Sequence, residues 1–193
     1  ALTHQTYPHE LIEVVIADDG SSDNPESLIP IFAEHFQMKH IFQEDRGYRL
    51  SEIRNKGVSV ASNDNIIILD CDMLPEPTLV EAFMQYAHVS NRCVMIGGRR
   101  YVNTDELTMG DVIANIDCVL ELPSLRTDTG LVPEADEPPS EDWRYKIYRK
   151  TENLKTEKHP FRAFCGGNVC FHRSLLDTVG GFDETFTAWG AED

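Results

Sequence analysis

The sequence predicts an α/β fold in which helices cover both faces of a mostly parallel sheet, giving three layers. Two short apolar runs, at residues 14–17 and 66–69, are typical of buried strands because they are rich in β-branched residues and too short for a buried helix. Segments with helical periodicity lie between such runs, and this alternation is typical of largely parallel sheets. Ligands of these sheets bind at the carboxyl ends of the strands, where both runs end in acidic residues.

The first half of the chain gives a regular series of elements. After the strand at 14–17, Asn24 as the N-cap and Pro25 at the first helical position predict a helix. The apolar residues that fall on one face of this helix are Leu28, Ile31, Phe32 and Phe36. The elements predicted next are a weak strand at 40–42, a helix over 50–61, a strand at 66–69, a helix that begins at Pro77 and a strand at 93–96.

The second half is less regular and is divided by charge. Residues 111–122 are predicted to form a helix, and residues 121–142, with seven acidic residues and one basic residue, a long exposed loop. Residues 143–162 reverse the charge, with seven basic and two acidic residues, and fit a helix followed by a linker. This basic segment is either a solvated helix face paired with the acidic loop or a surface that binds anions.

Charge and cysteine content exclude several classes of protein. The 17 basic and 33 acidic side chains give a formal net charge of −16, which argues against nucleic-acid binding because that needs a clustered basic face. No apolar run approaches the roughly 20 residues that a transmembrane helix needs. The five cysteines form no CxxC pair, which favours reduced thiols over disulfides or zinc. We therefore expect a cytoplasmic protein, either free or peripheral to the inner face of the membrane.

Two carboxylates follow the second apolar run directly. Asp70 and Asp72 flank Cys71, and side chains two residues apart in an extended chain point to the same side. Both carboxylates can therefore address one divalent cation, and their oxygen atoms suit hard ions such as Mg²⁺ or Mn²⁺. The alternative is a turn at the end of a strand with solvated acids.

Three other segments carry groups suited to a nucleotide or a sugar. Asp18 and Asp19 either orient a nucleotide by accepting hydrogen bonds from its base or ribose, or form a sharp turn between a strand and a helix. The pair Gly166-Gly167 either allows close approach of a ligand or makes a bulge. Residues 182–193 combine acids with aromatic rings, which stack on pyranose faces; core aromatics with surface acids are the alternative.

In this order along one chain, the segments resemble a known family. The segments similar to those of the GT-A glycosyltransferases of family 2 lie at 15–23, 54–57 and 68–73. The segments similar to a galactosyltransferase-type C-terminal motif lie at 161–169, 180–184 and 189–193. The chain resembles in particular the hexosamine-transferring domain of bacterial chondroitin and hyaluronan polymerases, and the resemblance covers nearly all of it.

The resemblance implies a GT-A, Rossmann-like fold and a single catalytic domain over residues 1–193, which we expect to be truncated at both ends. Residues 1–100 would form the nucleotide-sugar-binding half and residues 101–193 the acceptor-binding half. The implied activity is an inverting, metal-dependent transfer of a sugar, an N-acetylhexosamine, from a UDP-sugar to a saccharide acceptor in polysaccharide biosynthesis.

On the donor side, the resemblance implies that a UDP-sugar binds at the strand ends with Mn²⁺ or Mg²⁺ on its diphosphate. Asp18 matches the uracil-binding acid, Asp70 the acid near the ribose and the sugar, and Asp72 the direct metal ligand, with Asp70 as a second ligand. The other residues that the resemblance places at the donor are Asp19, Arg49, Arg54, Gly167 and Asn168.

On the acceptor side, Trp189 matches the aromatic residue against the acceptor sugar. Glu192 and Asp193 match the pair of acids that supplies the catalytic base, and we assign the base to Asp193. A third metal ligand is expected beyond residue 193.

Two other functions are compatible with the same residues. A module that binds a nucleotide sugar or a carbohydrate without turnover would need the same pocket. A sugar-phosphate nucleotidyltransferase of similar fold would need a glycine-rich basic loop near the first strand, and the sequence contains no such loop.

Overall fold

The computed structural model describes residues 1–125 and 142–190. The chain divides into two compact units, which are called unit 1 and unit 2 below. Unit 1 comprises Ala1–Ile96 with Cys165–Asp193, and unit 2 comprises Gly97–Phe164.

Strands and helices are mixed along the described residues. The strands are β1 (Glu13–Asp18), β2 (Gln37–Phe42), β3 (Asn65–Leu69), β4 (Val94–Ile96) and β5 (Asn168–His172). The α-helices are α1 (Ile29–Phe32), α2 (Leu50–Val60), α3 (Leu79–Ala87), α4 (Met109–Ala114), α5 (Asp117–Leu120), α6 (Trp143–Lys150) and α7 (Ser174–Val179). Short 3-10 helices lie at Leu2–His4, His9–Leu11, Pro25–Leu28 and Pro160–Ala163.

The strands of unit 1 form a two-stranded and a three-stranded sheet. β1 and β2 pair in parallel, so that Asp18 lies opposite Phe42. In the other sheet β5 lies between β3 and β4 and pairs antiparallel with both. The predicted α/β class is confirmed, and β1 with β2 forms the expected parallel pair. The difference is β5, a strand absent from the sequence prediction, which separates two strands that run in the same direction.

The core of unit 1 lies around β5. Phe171 is 2% exposed, and its ring lies edge-on to that of Phe182 with 6.4 Å between the centroids. Val169 and Cys170 are also fully buried, so both faces of the strand are covered. Burial raises the pKa of the Cys170 thiol to about 12, so this cysteine packs as an apolar side chain.

Helix α2 is the predicted helix that the structure reproduces best. It spans Leu50–Val60 and packs on the parallel pair, with Ile53 buried. A Cβ atom at Gly57 would lie 3.6 Å from the Cβ of Ala17 on β1. A methyl group would therefore fit here at ordinary contact distance, whereas a larger side chain would push α2 away from β1.

Two predicted helices are shorter or broken in the structure. The segment after Asn24 forms a 3-10 helix and then the four-residue α1, because Pro30 has no N–H with which to continue the hydrogen-bond ladder. Of the apolar residues expected to share one helix face, Leu28 and Ile31 are exposed and Phe36 is buried. The helix predicted at 111–122 is split into α4 and α5 because the backbone of Asn115 is extended.

Unit 2 contains a buried ion pair at the start of α6. Arg144 is 1% exposed, and its Nε atom donates to both carboxylate oxygens of Asp142 at 2.9 Å. Its Nη2 atom also donates to the Gly97 carbonyl oxygen at 2.8 Å. Burial alone would raise the pKa of Asp142, but the hydrogen bonds from Arg144 outweigh it and lower that pKa. One of the seven bases counted in 143–162 is therefore internal, and anion binding by the others stays a prediction.

None of the helices described at 1–125 and 142–190 combines the length and the hydropathy that crossing a bilayer requires.

We expect Phe171→Ala to lower the free energy of unfolding by about 3–5 kcal/mol, because a large ring is removed from a packed core. Urea denaturation measures the change. Phe161→Ala is the control, since Phe161 is 66% exposed; it should change stability by less than about 1 kcal/mol. Equal losses for the two variants would contradict the placement of β5 in the core.

Candidate functional site

The candidate site of unit 1 is organised by the N-terminal half of α2. Arg49 is the N-cap of this helix, and Arg54 and Asn55 lie in its first two turns. Arg49 contacts the loop after β1, Arg54 contacts the loop after β3, and Asn55 contacts the turn after α7. Arg49 and Arg54 are five positions apart, which is about 7.5 Å along a helix. One short rigid element therefore contacts all three loops.

Asp18 fixes the shape of the loop after β1. The backbone N–H of Ser21 donates to its Oδ1 atom at 2.7 Å, and His40 Nε2 lies 3.2 Å from its Oδ2 atom. Asp18 is 5% exposed. Burial by itself would raise its pKa, but the hydrogen bonds from Ser21 and His40 outweigh burial and lower that pKa. Asp18 is therefore an ionised buried carboxylate that is hydrogen-bonded to Ser21 and His40.

A glycine completes this loop. Gly20 has a φ of +83°, and a Cβ atom there would lie 2.4 Å from the Asp45 backbone nitrogen. Only glycine fits such a close approach together with a left-handed conformation. The turn predicted at Asp18 and Asp19 is thus present, with Asp45 packed against it.

Asp19 is more accessible than Asp18 and joins the loop to α2. Gln43 Nε2 donates to its Oδ1 atom at 2.6 Å, and the Arg49 backbone N–H donates to its Oδ2 atom at 3.3 Å. The Arg49 guanidinium lies 3.5 Å from Oδ1 and pairs at 3.1 Å with Glu52. The Nε atom of Arg49 is buried without a hydrogen-bond partner among the described residues. A cation and an acid therefore lie together at the end of β1.

The Asp70 loop is joined to the glycine segment by strand pairing. Leu69 lies opposite Asn168 in the β3–β5 register, and the Asp70 backbone N–H donates to the Gly167 carbonyl oxygen at 3.1 Å. Gly167 and Asn168 are both buried. Two segments that are nearly 100 residues apart in the sequence therefore lie side by side.

The carboxylates of the Asp70 loop face different surroundings. Asp70 Oδ1 accepts a hydrogen bond from Arg54 Nη2 at 3.2 Å, while the side chain keeps 44% of its surface exposed. Asp72 is exposed. Within residues 1–125 and 142–190, no cluster of three or more His, Cys, Asp or Glu side chains has the spacing of a metal site. Asp70 and Asp72 can thus offer carboxylate oxygens to a cation, but the described protein atoms do not enclose one.

The predicted acceptor-side residues follow the turn after α7. Arg54 lies over the ring of Phe182, with its Cζ atom 5.7 Å from the centroid. Trp189 is 86% exposed, so its ring is available to a ligand. Glu192 and Asp193 lie outside the described residues, and their assignment stays a prediction.

Sequence reasoning gave no role to three residues that hold the site together. His40 hydrogen-bonds to Asp18 and Gln43 to Asp19. Asn55 hydrogen-bonds to the turn after α7. The position of His40 beside the acidic turn could have been predicted from the sequence. A strand at 40–42 paired in parallel with the first strand brings its side chains beside the acidic turn. Asn55 lies inside the segment 54–57, but its long-range partner is not visible in any spacing.

Comparison with known sequences gives a consistent set of relatives. The model of the family described as "Glycosyl transferase family 2" matches residues 1–180. A chondroitin synthase of Escherichia coli is 38% identical over 181 residues, which are 94% of this chain and 26% of that protein. A hyaluronan synthase of Pasteurella multocida is 34% identical over 185 residues, which are 96% of this chain and 19% of that protein.

A third relative carries a different name. A validoxylamine A glucosyltransferase of Streptomyces hygroscopicus subsp. limoneus is 30% identical over 193 residues, which are 100% of this chain and 41% of that protein. The chain thus spans only 19% to 41% of the length of these three relatives.

We expect Asp18→Asn to lower the free energy of unfolding at pH 7 by about 1–3 kcal/mol, because the charge and one of the two hydrogen-bond acceptor oxygens are lost. The folded pKa of Asp18 lies below the unfolded value of about 3.9, so its charge stabilises the fold above that pH. This stabilisation is lost as the pH falls through the folded pKa. Urea denaturation from pH 7 down to pH 3 should therefore show the difference between wild type and variant shrinking.

The control is Asp23→Asn, an exposed residue close to the same loop, which should leave stability unchanged at every pH. A loss in Asp18→Asn that is the same at all pH values would contradict the ionised state of Asp18.

Proposed function

The chain belongs to glycosyl transferase family 2, and we propose that it transfers a sugar from a UDP-linked donor to a saccharide acceptor. The transferred sugar in this proposal is an N-acetylhexosamine, and the reaction inverts the anomeric carbon. The GT-A, Rossmann-like fold of the family agrees with the α/β arrangement of unit 1. The observation that carries the proposal is the pairing of β3 with β5, which places the Asp70 loop beside Gly167 and Asn168.

The uridine is proposed to bind at the loop after β1. Asp18 accepts hydrogen bonds from Ser21 and His40, and its carboxylate oxygens can accept a further one, such as that from the N3–H of uracil. Asp19 is more exposed and can accept from a ribose hydroxyl. Arg49, whose Nε atom lacks a partner among the described residues, supplies a donor beside them. The diphosphate would then point along α2 toward Arg54 and Asp70.

Asp70 and Asp72 fit a divalent cation by the chemistry of their donor atoms. Both offer carboxylate oxygens, which hard cations prefer, and both are partly or fully exposed. Asp70 directs one oxygen toward Arg54 and leaves the other for a ligand. When bound, Mn²⁺ or Mg²⁺ would neutralise the negative charge that develops on the leaving diphosphate.

The acceptor is proposed to bind against Trp189, whose exposed ring can stack on a pyranose face. Asp193 would remove the proton of the acceptor hydroxyl, as the resemblance to the family implies. The hydroxyl oxygen then forms a bond to the anomeric carbon on the face opposite the leaving group, and the bond from that carbon to the UDP oxygen breaks. A general base of this kind contributes typically 10² to 10⁴ in rate.

The relatives support the polysaccharide part of the proposal more than the choice of sugar. Two of them are named as synthases of chondroitin and hyaluronan, which favours a saccharide acceptor. The third is named as a glucosyltransferase, so a family member of similar sequence uses a different sugar. We therefore base the N-acetylhexosamine on the two synthases.

We expect Mn²⁺ to tighten UDP binding to the wild-type chain at least about tenfold, since a divalent cation held by Asp70 and Asp72 would offset the negative charge of the diphosphate. Asp72→Asn should lose this enhancement while keeping its affinity for UDP without metal. Calorimetry with UDP, with and without Mn²⁺, measures both. Asp177→Asn, which changes an exposed acid on α7, is the matched control and should behave as wild type. Full Mn²⁺ enhancement in Asp72→Asn would remove Asp72 from the metal site.

We expect Asp193→Asn to bind UDP as wild type does and to lose transfer by about 10² to 10⁴, because only deprotonation of the acceptor is affected. Release of UDP from a UDP-sugar in the presence of an acceptor measures turnover. A larger loss in Glu192→Gln than in Asp193→Asn would move the base to Glu192. Wild-type binding of UDP-sugars without any UDP release would support the alternative of a binding module.

A further inference from the structure

We infer that Asn55 is a positioning residue that holds the turn at 181–184, and with it the segment leading to Trp189, against the donor side of the site. The inference rests on the proposed function, because it assigns the two sides of the site to donor and acceptor. Asn55 itself contacts neither substrate in this proposal and acts through the turn.

The side-chain amide of Asn55 makes three hydrogen bonds to the turn. Its Nδ2 atom donates to the Phe182 carbonyl oxygen at 2.9 Å and to Glu184 Oε1 at 2.8 Å. Its Oδ1 atom accepts from the Phe182 backbone N–H at 2.9 Å. The amide thus pairs with both backbone groups of Phe182, as a neighbouring β-strand would. Aspartate at position 55 would keep the oxygen that accepts a hydrogen bond but would lose both hydrogen bonds that Nδ2 donates. Alanine would lose all three.

The turn has the shape that this contact needs. Gly181 has a φ of +86°, and a Cβ atom there would lie 3.0 Å from Asn55 Oδ1. The preceding Gly180 also has a positive φ of +93°, but a Cβ atom there would meet nothing within 4 Å. Of these two glycines, only Gly181 would crowd Asn55 if it carried a side chain.

The same turn is coupled to the donor side through the residue before Asn55. Arg54 pairs with Asp70 at 3.2 Å and lies over the ring of Phe182, which itself packs on Phe171 of β5. Arg54 and Asn55 are consecutive residues of α2. Arg54 thus contacts Asp70, on the side proposed for the sugar donor, and Asn55 contacts the turn that leads to the side proposed for the acceptor. Because Arg54 is also held by Asp70, a shift of the turn would displace Trp189, seven residues after Phe182, more than it would displace the Arg54–Asp70 pair. Loss of the Asn55 contacts should therefore impair transfer to the acceptor sugar while binding of UDP is kept.

The test uses two variants that break the contact from opposite sides, each with a matched control. Asn55→Ala removes the amide, and Gly181→Ala pushes it away. Ser59→Ala is the control on α2, since its hydroxyl bonds only within the helix to the Lys56 carbonyl oxygen. Gly180→Ala is the control in the turn, because it carries the same left-handed strain without a contact to Asn55.

Three measurements are made on each variant: the Kd for UDP, the kcat and KM for the acceptor, and hydrogen exchange of the amides at 181–190. We expect Asn55→Ala and Gly181→Ala to lower kcat/KM for the acceptor about tenfold or more, equivalent to 1.4 kcal/mol, with the Kd for UDP within about twofold of wild type. Exchange at 181–190 should become faster in these two variants, and both controls should match wild type in transfer.

Parallel loss of UDP binding and transfer in Asn55→Ala and Gly181→Ala would overturn the inference, because Asn55 would then only maintain the fold. Unchanged transfer, or equal losses in Gly180→Ala and Gly181→Ala, would overturn it as well. A wild-type chain that neither binds UDP nor releases it from UDP-sugars would instead refute the proposed function. In that case the exchange of the amides at 181–190 alone decides whether Asn55 holds the turn.

Discussion

The candidate site depends on one constraint, the close packing of α2 against β1. A Cβ atom at Gly57 would lie 3.6 Å from the Cβ of Ala17, so only a side chain no larger than that of alanine fits between the helix and the strand. In this position Arg49 meets Asp19 and Arg54 meets Asp70. A side chain larger than that of alanine at position 57 would push the helix outward and displace both cations together. The geometry of the site is therefore set by the packing of a core helix and only secondarily by the loops that carry its acids.

Electrostatics explain how the acidic loops after β1 and β3 are stable in a chain with a net charge of −16. Arg54 is buried, and a buried guanidinium left without its carboxylate would carry a large desolvation cost, so the Arg54–Asp70 pair holds the loop after β3 in place. Asp19 accepts the backbone N–H of Arg49 at the start of α2, where the helix dipole also favours a negative charge. Asp70 and Asp19 are thus each compensated by a partner close by, Arg54 and the start of α2 respectively.

The sequence predicted the parts of this arrangement that rest on periodicity, and missed those that rest on long-range pairing. Helix α2 and strands β1 and β3 follow from apolar spacing, and the acidic turns follow from their positions after buried strands. Strand β5 was missed because its glycine pair resembles a turn, whereas the strand begins directly after it. Asn55 had no visible partner because its contacts lie 127 and 129 positions away.

Local charges also explain how an acidic protein can receive an anionic donor under the proposed function. Overall charge would repel a diphosphate, but repulsion between exposed charges is screened beyond about 10 Å at moderate ionic strength. Within that distance the donor would meet Arg49 and Arg54, and carboxylates at Asp70 and Asp72 that suit a divalent cation. Because α2 holds both arginines at a fixed spacing of about 7.5 Å along its axis, the positive groups are arranged before the donor arrives. The net charge of the chain is therefore a poor guide to its ligand, and the few charges aligned by α2 are the relevant ones.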